Sequence, residues 1–300
     1  MECGMKGTSK VRRISRNEFL KTAAAGWAGC MLGPGSRALA SPLGLPIGLQ
    51  TYTVRNDLKA DFAGTLRKVA AMGYREVEVN GDWYGRPAAE LRKMLDDAGL
   101  RAPSAHFDSP KDSAAWAKNM EGAHTVGLEY MLTTSHSEWT KSLDGWKRTG
   151  DFFNGLAKQC RDNGFKFAYH NHNFEFRVYD GVVAYDELLR STDKDLVKME
   201  MDCFWTTFAG KDPVEYFHKH PGRFELLHIK DLKPGYKPTT DGFKGNPFTE
   251  VGHGTIDWKR IFGAAREGGL KHYYVEQDMW DRPSLESAQM SATYLKKLDV

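Results

Sequence analysis

Four side chains able to hold a metal, His170, Asp202, His228 and Glu276, each close a short apolar run in this chain of 300 residues. The runs occupy 165–169, 197–201, 224–227 and 272–275. The four residues lie 32, 26 and 48 positions apart, and the first two gaps are each about one strand–helix unit. A repeated strand–helix chain carries all its strand ends to one face, where such folds build their sites. Imidazoles and carboxylates converging there predict one divalent ion, of the set Mn, Co, Zn, Fe or Mg.

The neighbours of these four add acid–base chemistry. In His170-Asn171-His172-Asn173, strand alternation turns both histidines the same way. Either both ligate, or one ligates while the other and Asn171 meet substrate. Asp202 at a strand tip reads as a ligand or as a helix cap. Trp205 just after it reads as an apolar wall for a sugar or as core. His228 and Lys230 share one side of their strand. A lysine beside a divalent cation is expected to have a lowered pKa, which suits proton transfer, with a surface pair to Asp231 as the plainer alternative. Glu78 ends another run, so one of Glu78 and Glu276 is free to act as base. His106 and Tyr52 at two further strand ends complete a polar ring, and His253 sits on a loop.

Between residues 41 and 300 strand-like and helix-like segments alternate without a break in composition. Strands are predicted over 47–52, 76–79, 102–106, 130–133, 165–170, 197–202, 226–229 and 273–276. Helical patterns include 61–72, 88–98, 146–163 and 258–267, and Gly73, Gly99, Gly164 and Gly269 stand where helices should stop. Eight alternations over about 250 residues predict a single-domain α/β fold, a (β/α)8 TIM barrel. A doubly wound open sheet is the runner-up, but no Gly-x-Gly-x-x-Gly follows the first strand. Residues 231–255, rich in Gly, Pro, Lys and Thr, break the rhythm and are expected to cover substrate.

The first 40 residues differ. They hold 7 basic and 2 acidic groups, then an apolar run over 22–32 that is too short to span a bilayer, then Ala38-Leu39-Ala40. We read 1–40 as a cleaved export signal and 41–300 as the barrel, with a periplasmic destination. Residues 15–21 resemble a twin-arginine signal, with Asn17 in place of the second arginine, and Gly29-Cys30 offers a lipoprotein alternative. Without the leader, 35 basic and 37 acidic groups remain, a net charge of −2. That balance argues against a nucleic-acid or membrane surface. Only Cys160 and Cys203 remain, so this is no disulfide scaffold, and a bridge between them is a weak reading.

From Pro46 to Leu298 the chain resembles the xylose-isomerase-like sugar phosphate isomerase/epimerase superfamily. The stretches that carry it are Ile47–Tyr52, Gly73–Glu78, Tyr169–His172, Met201-Asp202, Leu227–Asp231, Gly252–Asp257 and Val275-Glu276. The resemblance implies one divalent metal held by Glu, Asp, His and Glu from strands five to eight. The last three fall on Asp202, His228 and Glu276. The first falls on His170, where this chain has His for Glu, with His172 as the nearby substitute. The His-x-His strand with Leu-His-x-Lys-Asp also resembles inosose dehydratases and lyases acting on 3-keto-glycosides. Abasic-site endonucleases share the barrel but need several metals and a basic face.

These readings imply a carbohydrate enzyme, first an isomerase or epimerase of an unphosphorylated sugar, alternatively a lyase or dehydratase. Both begin by removing a proton α to a carbonyl, with Glu78, Lys230 or Glu276 as base and His172 or His106 steering oxygens. A catalytically inactive carbohydrate-binding barrel would lack a ligand or a base, and here every such position is filled. Self-assembly into a homo-oligomer is left open.

Overall fold

A computed structural model describes residues 41–134 and 139–300. The export reading of residues 1–40 lies outside the described residues. Eight strands, β1 (Gly48–Gln50), β2 (Glu76–Asn80), β3 (Arg101–Phe107), β4 (Tyr130–Thr133), β5 (Lys166–His170), β6 (Val197–Asp202), β7 (Leu226–Ile229) and β8 (His272–Val275), form a closed barrel. Every neighbouring pair is parallel, and β8 closes on β1 through Gly48–Tyr274 and Leu49–Val275. Closure excludes the open doubly wound sheet and leaves no sheet edge unpaired.

The helices between the strands follow from their sequence. Those that matter for the site are α1 (Arg55–Ala60), α2 (Phe62–Ala71), α3 (Ala88–Ala98), and further along the chain α4 (Ala184–Ser191), α5 (Cys203–Phe208), α6 (Trp258–Gly268) and α7 (Ser284–Leu295). Asp61 caps α2 by accepting from Gly64 N at 2.9 Å, and Asp257 caps α6 through Arg260 N at 3.0 Å. Gly99 and Gly269 end α3 and α6 at φ 70° and 104°, a conformation that costs glycine nothing.

Strand alternation sorts the barrel's side chains. Outward residues such as Val77, Met131, Phe167, Met199, Leu227, Tyr273 and Val275 are buried against the helices in the main core. Inward residues Tyr130, Leu132, Ala168, Leu226 and Tyr274 form a second, smaller apolar cluster. One alternation step further along β2, β6 and β7, toward the C-terminal ends, stand Glu78, Glu200 and His228, all with no exposed surface. The apolar cluster is thus a plug, and the charged layer on it is the floor of a site.

The segment 231–255 is not a simple cover. Asp231–Leu232 pairs antiparallel with Phe248–Thr249, and Phe248 packs with Phe204, Trp205, Phe208 and Leu232. Asp231 is fully buried and accepts from the backbone N–H of Leu232, Gly252 and Ile256 and from Trp258 Nε1, at 2.8 to 3.2 Å. It anchors the loop and is no surface partner of Lys230. Cys160 and Cys203 are both free and buried, so no bridge joins them. Among the described residues no helix is long and apolar enough to cross a membrane.

Candidate metal and active site

A cavity of about 340 Å³ opens at the C-terminal ends of the strands. Gln50, Tyr52, Asn80, His106, Thr134, His170, His172, Trp205, Lys230, Glu276 and Asp278 line it, so eight of its residues come from positions on or just past β1, β3, β5, β7 and β8. Beneath this wall lie the fully buried Glu78, Glu200, Asp202 and His228.

His228 joins the two levels. Its Nδ1 lies 2.7 Å from Glu276 Oε2 at the cavity, and its Nε2 lies 2.6 Å from Glu78 Oε2 and 3.2 Å from Glu200 Oε2 below. Glu200 Oε2 also meets His106 Nε2 at 2.8 Å and His170 Nδ1 at 3.0 Å. Glu78 is held by Gln50 Nε2 at 2.8 Å and Ser104 Oγ at 2.7 Å. Lys230 Nζ stands among three carboxylates, 2.7 Å from Glu276 Oε2, 3.1 Å from Asp278 Oδ1 and 3.2 Å from Asp202 Oδ2.

This crowding separates the protonation states of like groups. Burial works against the charge on His106, but Glu78 and Glu200 outweigh it and carry its pKa up to about 10. His228 is likewise raised well above the usual value against its burial, by Glu200, Glu276 and Glu78. His170 goes the other way: burial, reinforced by the charge on His228, holds it neutral. Burial also lowers His172 to about 3. Glu200 is raised to about 7 by burial and by Glu78, whereas Glu78 is lowered despite burial by His106 and His228. Lys230 is governed by three carboxylates that surround it. Burial does favour the neutral amine, but Asp202, Asp278 and Glu276 hold its pKa well above the usual lysine value.

The donor set fits a divalent cation. One nitrogen of His228 and one oxygen each of Asp202 and Glu276 lie within 4.8 Å of one another. Asp202 divides its work: Oδ1 caps α5 by accepting from Trp205 N at 2.9 Å, while buried Oδ2 has only the Lys230 ammonium, at 3.2 Å, as an ion partner. A buried carboxylate oxygen without a hydrogen bond, grouped with a histidine nitrogen and a second carboxylate, is a donor set that a metal would complete. His170, the fourth expected ligand, leans elsewhere. Its Nε2 is 3.8 Å from Asp202 Oδ2, and its Nδ1 belongs to a group with His106, Glu200 and His228.

The remaining expected residues divide clearly. His106, His172, Tyr52, Trp205, Lys230 and Glu276 line the cavity together. Glu78 lies below its floor. Asn171 faces no cavity: its Oδ1 accepts from Asp202 N at 3.1 Å, so it fixes a ligand's backbone and not a substrate. His253 is exposed on the loop, its backbone N–H bonded to Glu250 O, and does not line the cavity. Sequence reasoning missed Glu200, Asp278 and Asn80. Each stands two positions from a recognised residue, Asp202, Glu276 and Glu78, so strand alternation was the signal that would have found all three.

Residues 66–298 match the family described as xylose isomerase-like TIM barrel. An inosose dehydratase of Lacticaseibacillus casei is 24% identical over 269 residues, which cover 78% of this chain and 88% of that protein. Among solved structures, a sugar phosphate isomerase/epimerase of Parabacteroides distasonis is 26% identical, with TM-score 0.76 over 88% of this chain and 96% of its own. An IolI protein crystallised with a bound zinc atom shares the fold at 15% identity, TM-score 0.66, covering 84% and 96%. With the closed barrel and the carboxylate–histidine mouth in place, the chain belongs to the xylose isomerase-like TIM barrel family.

Proposed function

We propose that this chain is a divalent-metal enzyme that removes the proton α to the carbonyl of an unphosphorylated keto-sugar or inosose-like ketone and then expels a β-oxygen group. The observation that carries the reading is the joining of three elements in one cavity: the Asp202–His228–Glu276 group, the Lys230–Glu276 pair, and His106 with His172 across from them. A metal held by that group would act as a Lewis acid on the carbonyl. The Glu276 carboxylate of the Lys230–Glu276 pair takes the α-proton, while protonated Lys230 holds that carboxylate in place. As the C–H bond breaks, a C=C bond forms and the β C–O bond breaks, and His106, held protonated by Glu78 and Glu200, returns a proton to the departing oxygen. The dehydratase relative supports elimination. Proton return to carbon, as in an isomerase or epimerase, is the second reading, favoured by the Parabacteroides relative. Both readings share the first step. Among the described residues no arginine lines the cavity, and Lys230 is already engaged by three carboxylates, which suits a reacting ring without phosphate.

The test runs the metal-loaded protein in D2O with 3-keto-glycosides, inososes and ketoses. The α-carbon is expected to take up deuterium, and Lys230→Met is expected to slow that uptake by about 10²–10⁴-fold while keeping its metal. Retention of a carbon-bound label through turnover would rule the mechanism out. We also propose export to the periplasm, from the basic leader and its short apolar run.

A further inference from the structure

A second cavity, of about 410 Å³, adjoins the first and shares Tyr52 and Asn80 with it. Its other walls are Arg55, Leu58, Lys59, Phe62, Tyr84 and Arg86, with no carboxylate among them. A third cavity meets the first at Asn80, His106 and Thr134, touches the second at Asn80, and is lined by Asp82 and Asp108. Beside the mouth, a cationic chamber and an acidic one therefore meet at Asn80.

The arginines of the second cavity are set in place by aromatic rings and backbone carbonyls, with one loose carboxylate pair, Arg86–Glu90. Arg55 lies 3.9 Å over the Tyr52 ring and 4.2 Å over Trp280, and donates to the carbonyls of Tyr52 and Asp278, both at 2.9 Å. Arg86 lies 4.2 Å over Phe62 and donates to Tyr84 O, with Glu90 at 3.7 Å at its back. Guanidinium groups stacked on rings keep in-plane N–H edges for an oxyanion. The wall itself is held under strain. Trp83 and Tyr84 are consecutive non-glycine residues at φ 52° and 57°, and Tyr84 is pinned there by its hydroxyl on Thr51 Oγ1 and Asn80 N. Strain of this kind collects at ligand clamps.

We propose that this chamber is a second subsite, one that binds a sugar unit bearing a carboxylate or sulfate group, joined to the ring that reacts in the first cavity. The inference rests on the carbohydrate reading above and adds to it a substrate class: an acidic glycoside, with the charged unit at Arg86 and Lys59. The acidic chamber beyond Asn80 repels that unit, so the two adjoining chambers give the substrate one orientation. Tyr52 and Asn80, common to both cavities, stand where the link between the units passes.

Titration of the full, metal-loaded chain with methyl β-D-glucuronide, methyl β-D-glucoside 6-sulfate and methyl β-D-glucoside, followed by calorimetry, tests this without turnover. One charged probe is expected to bind about tenfold tighter than the neutral glucoside, the size of a charge-assisted hydrogen bond. Whichever charged probe wins identifies the carboxylate or the sulfate as the source. The gain should shrink as salt is raised and disappear in the Lys59→Ala/Arg86→Ala variant. Lys230→Met should keep it, so that loss of proton exchange and loss of the subsite are read apart. Equal binding of all three probes, or a gain that survives the double substitution, would overturn the proposal.

Discussion

Asp202 shows how one carboxylate serves the fold and the site at once. Oδ1 satisfies the first turn of α5, and buried Oδ2 is left to Lys230 and to the group it forms with His228 and Glu276. Asp202→Asn and Glu276→Gln are therefore expected to abolish bound metal, measured by elemental analysis, with the barrel still folded by circular dichroism. Full metal occupancy in either variant would refute the ligand group. His170→Ala separates the two histidine roles: with Nε2 3.8 Å from Asp202 Oδ2, its loss should weaken metal affinity less than Asp202→Asn does. Glu175 makes a prediction of another kind. It is fully buried, accepts from Tyr169 OH at 2.6 Å, and burial pushes its pKa up to about 7 from 4.5. The folded state therefore holds the proton more tightly than the unfolded chain. The stability this contributes is fully present below pH 4.5 and is lost as pH rises through about 7. Thermal unfolding between those limits should show Glu175→Gln gaining on the wild type as pH rises. A constant difference across the range would count against it.

Among the elements, the long segment after β7 depends most on a single side chain. Asp231 collects three backbone N–H groups and the Trp258 indole, which ties the start of that segment to its return at Gly252 and Ile256 and to α6. Removing it strands two buried donors, Leu232 N and Trp258 Nε1, and two partly buried ones. Asp231→Ala should cost about 4 kcal/mol in denaturant unfolding, since each unsatisfied buried donor costs about 1–3 kcal/mol and relaxation recovers part of the sum. Asp231→Asn, which keeps one acceptor oxygen, should cost about half as much. A loss below 1 kcal/mol for Asp231→Ala would mean that water replaces the anchor. The loop's aromatic residues pack on Trp205, so it supports the cavity wall from behind and contributes no lining residue of its own.

For the molecule as a whole, the barrel places opposite charges at short range in its centre. A layer of Glu78, Glu200, His106, His170 and His228 rests on an apolar plug, closed to solvent except through the cavity. Such a layer is costly to bury and is retained where it is used. Protein isolated from its native host is expected to begin near Ser41, as N-terminal sequencing would show. A start at Met1 would refute export, and an acylated Cys30 would replace it with a lipoprotein.

The strands, their order and the barrel were legible in the chain because strand–helix alternation and glycine stops are local signals, and strands such as 130–133, 197–202 and 226–229 fall at the expected positions. The same local period places Asp202, His228, Lys230 and Glu276 on one face. It does not say how far each side chain reaches, or which groups from distant strands meet. Glu78 and Glu276 looked equivalent as strand-end carboxylates. Closure of the barrel put Glu78 under the floor and Glu276 in the wall. The Lys230 pKa turned on Asp278, and His106 on Glu78 and Glu200, partners 48, 28 and 94 residues away. Sequence determines which face a side chain takes, because the period is a property of the backbone. Tertiary structure decides its charge and its partner, because both depend on distances across a closed barrel that no local pattern contains.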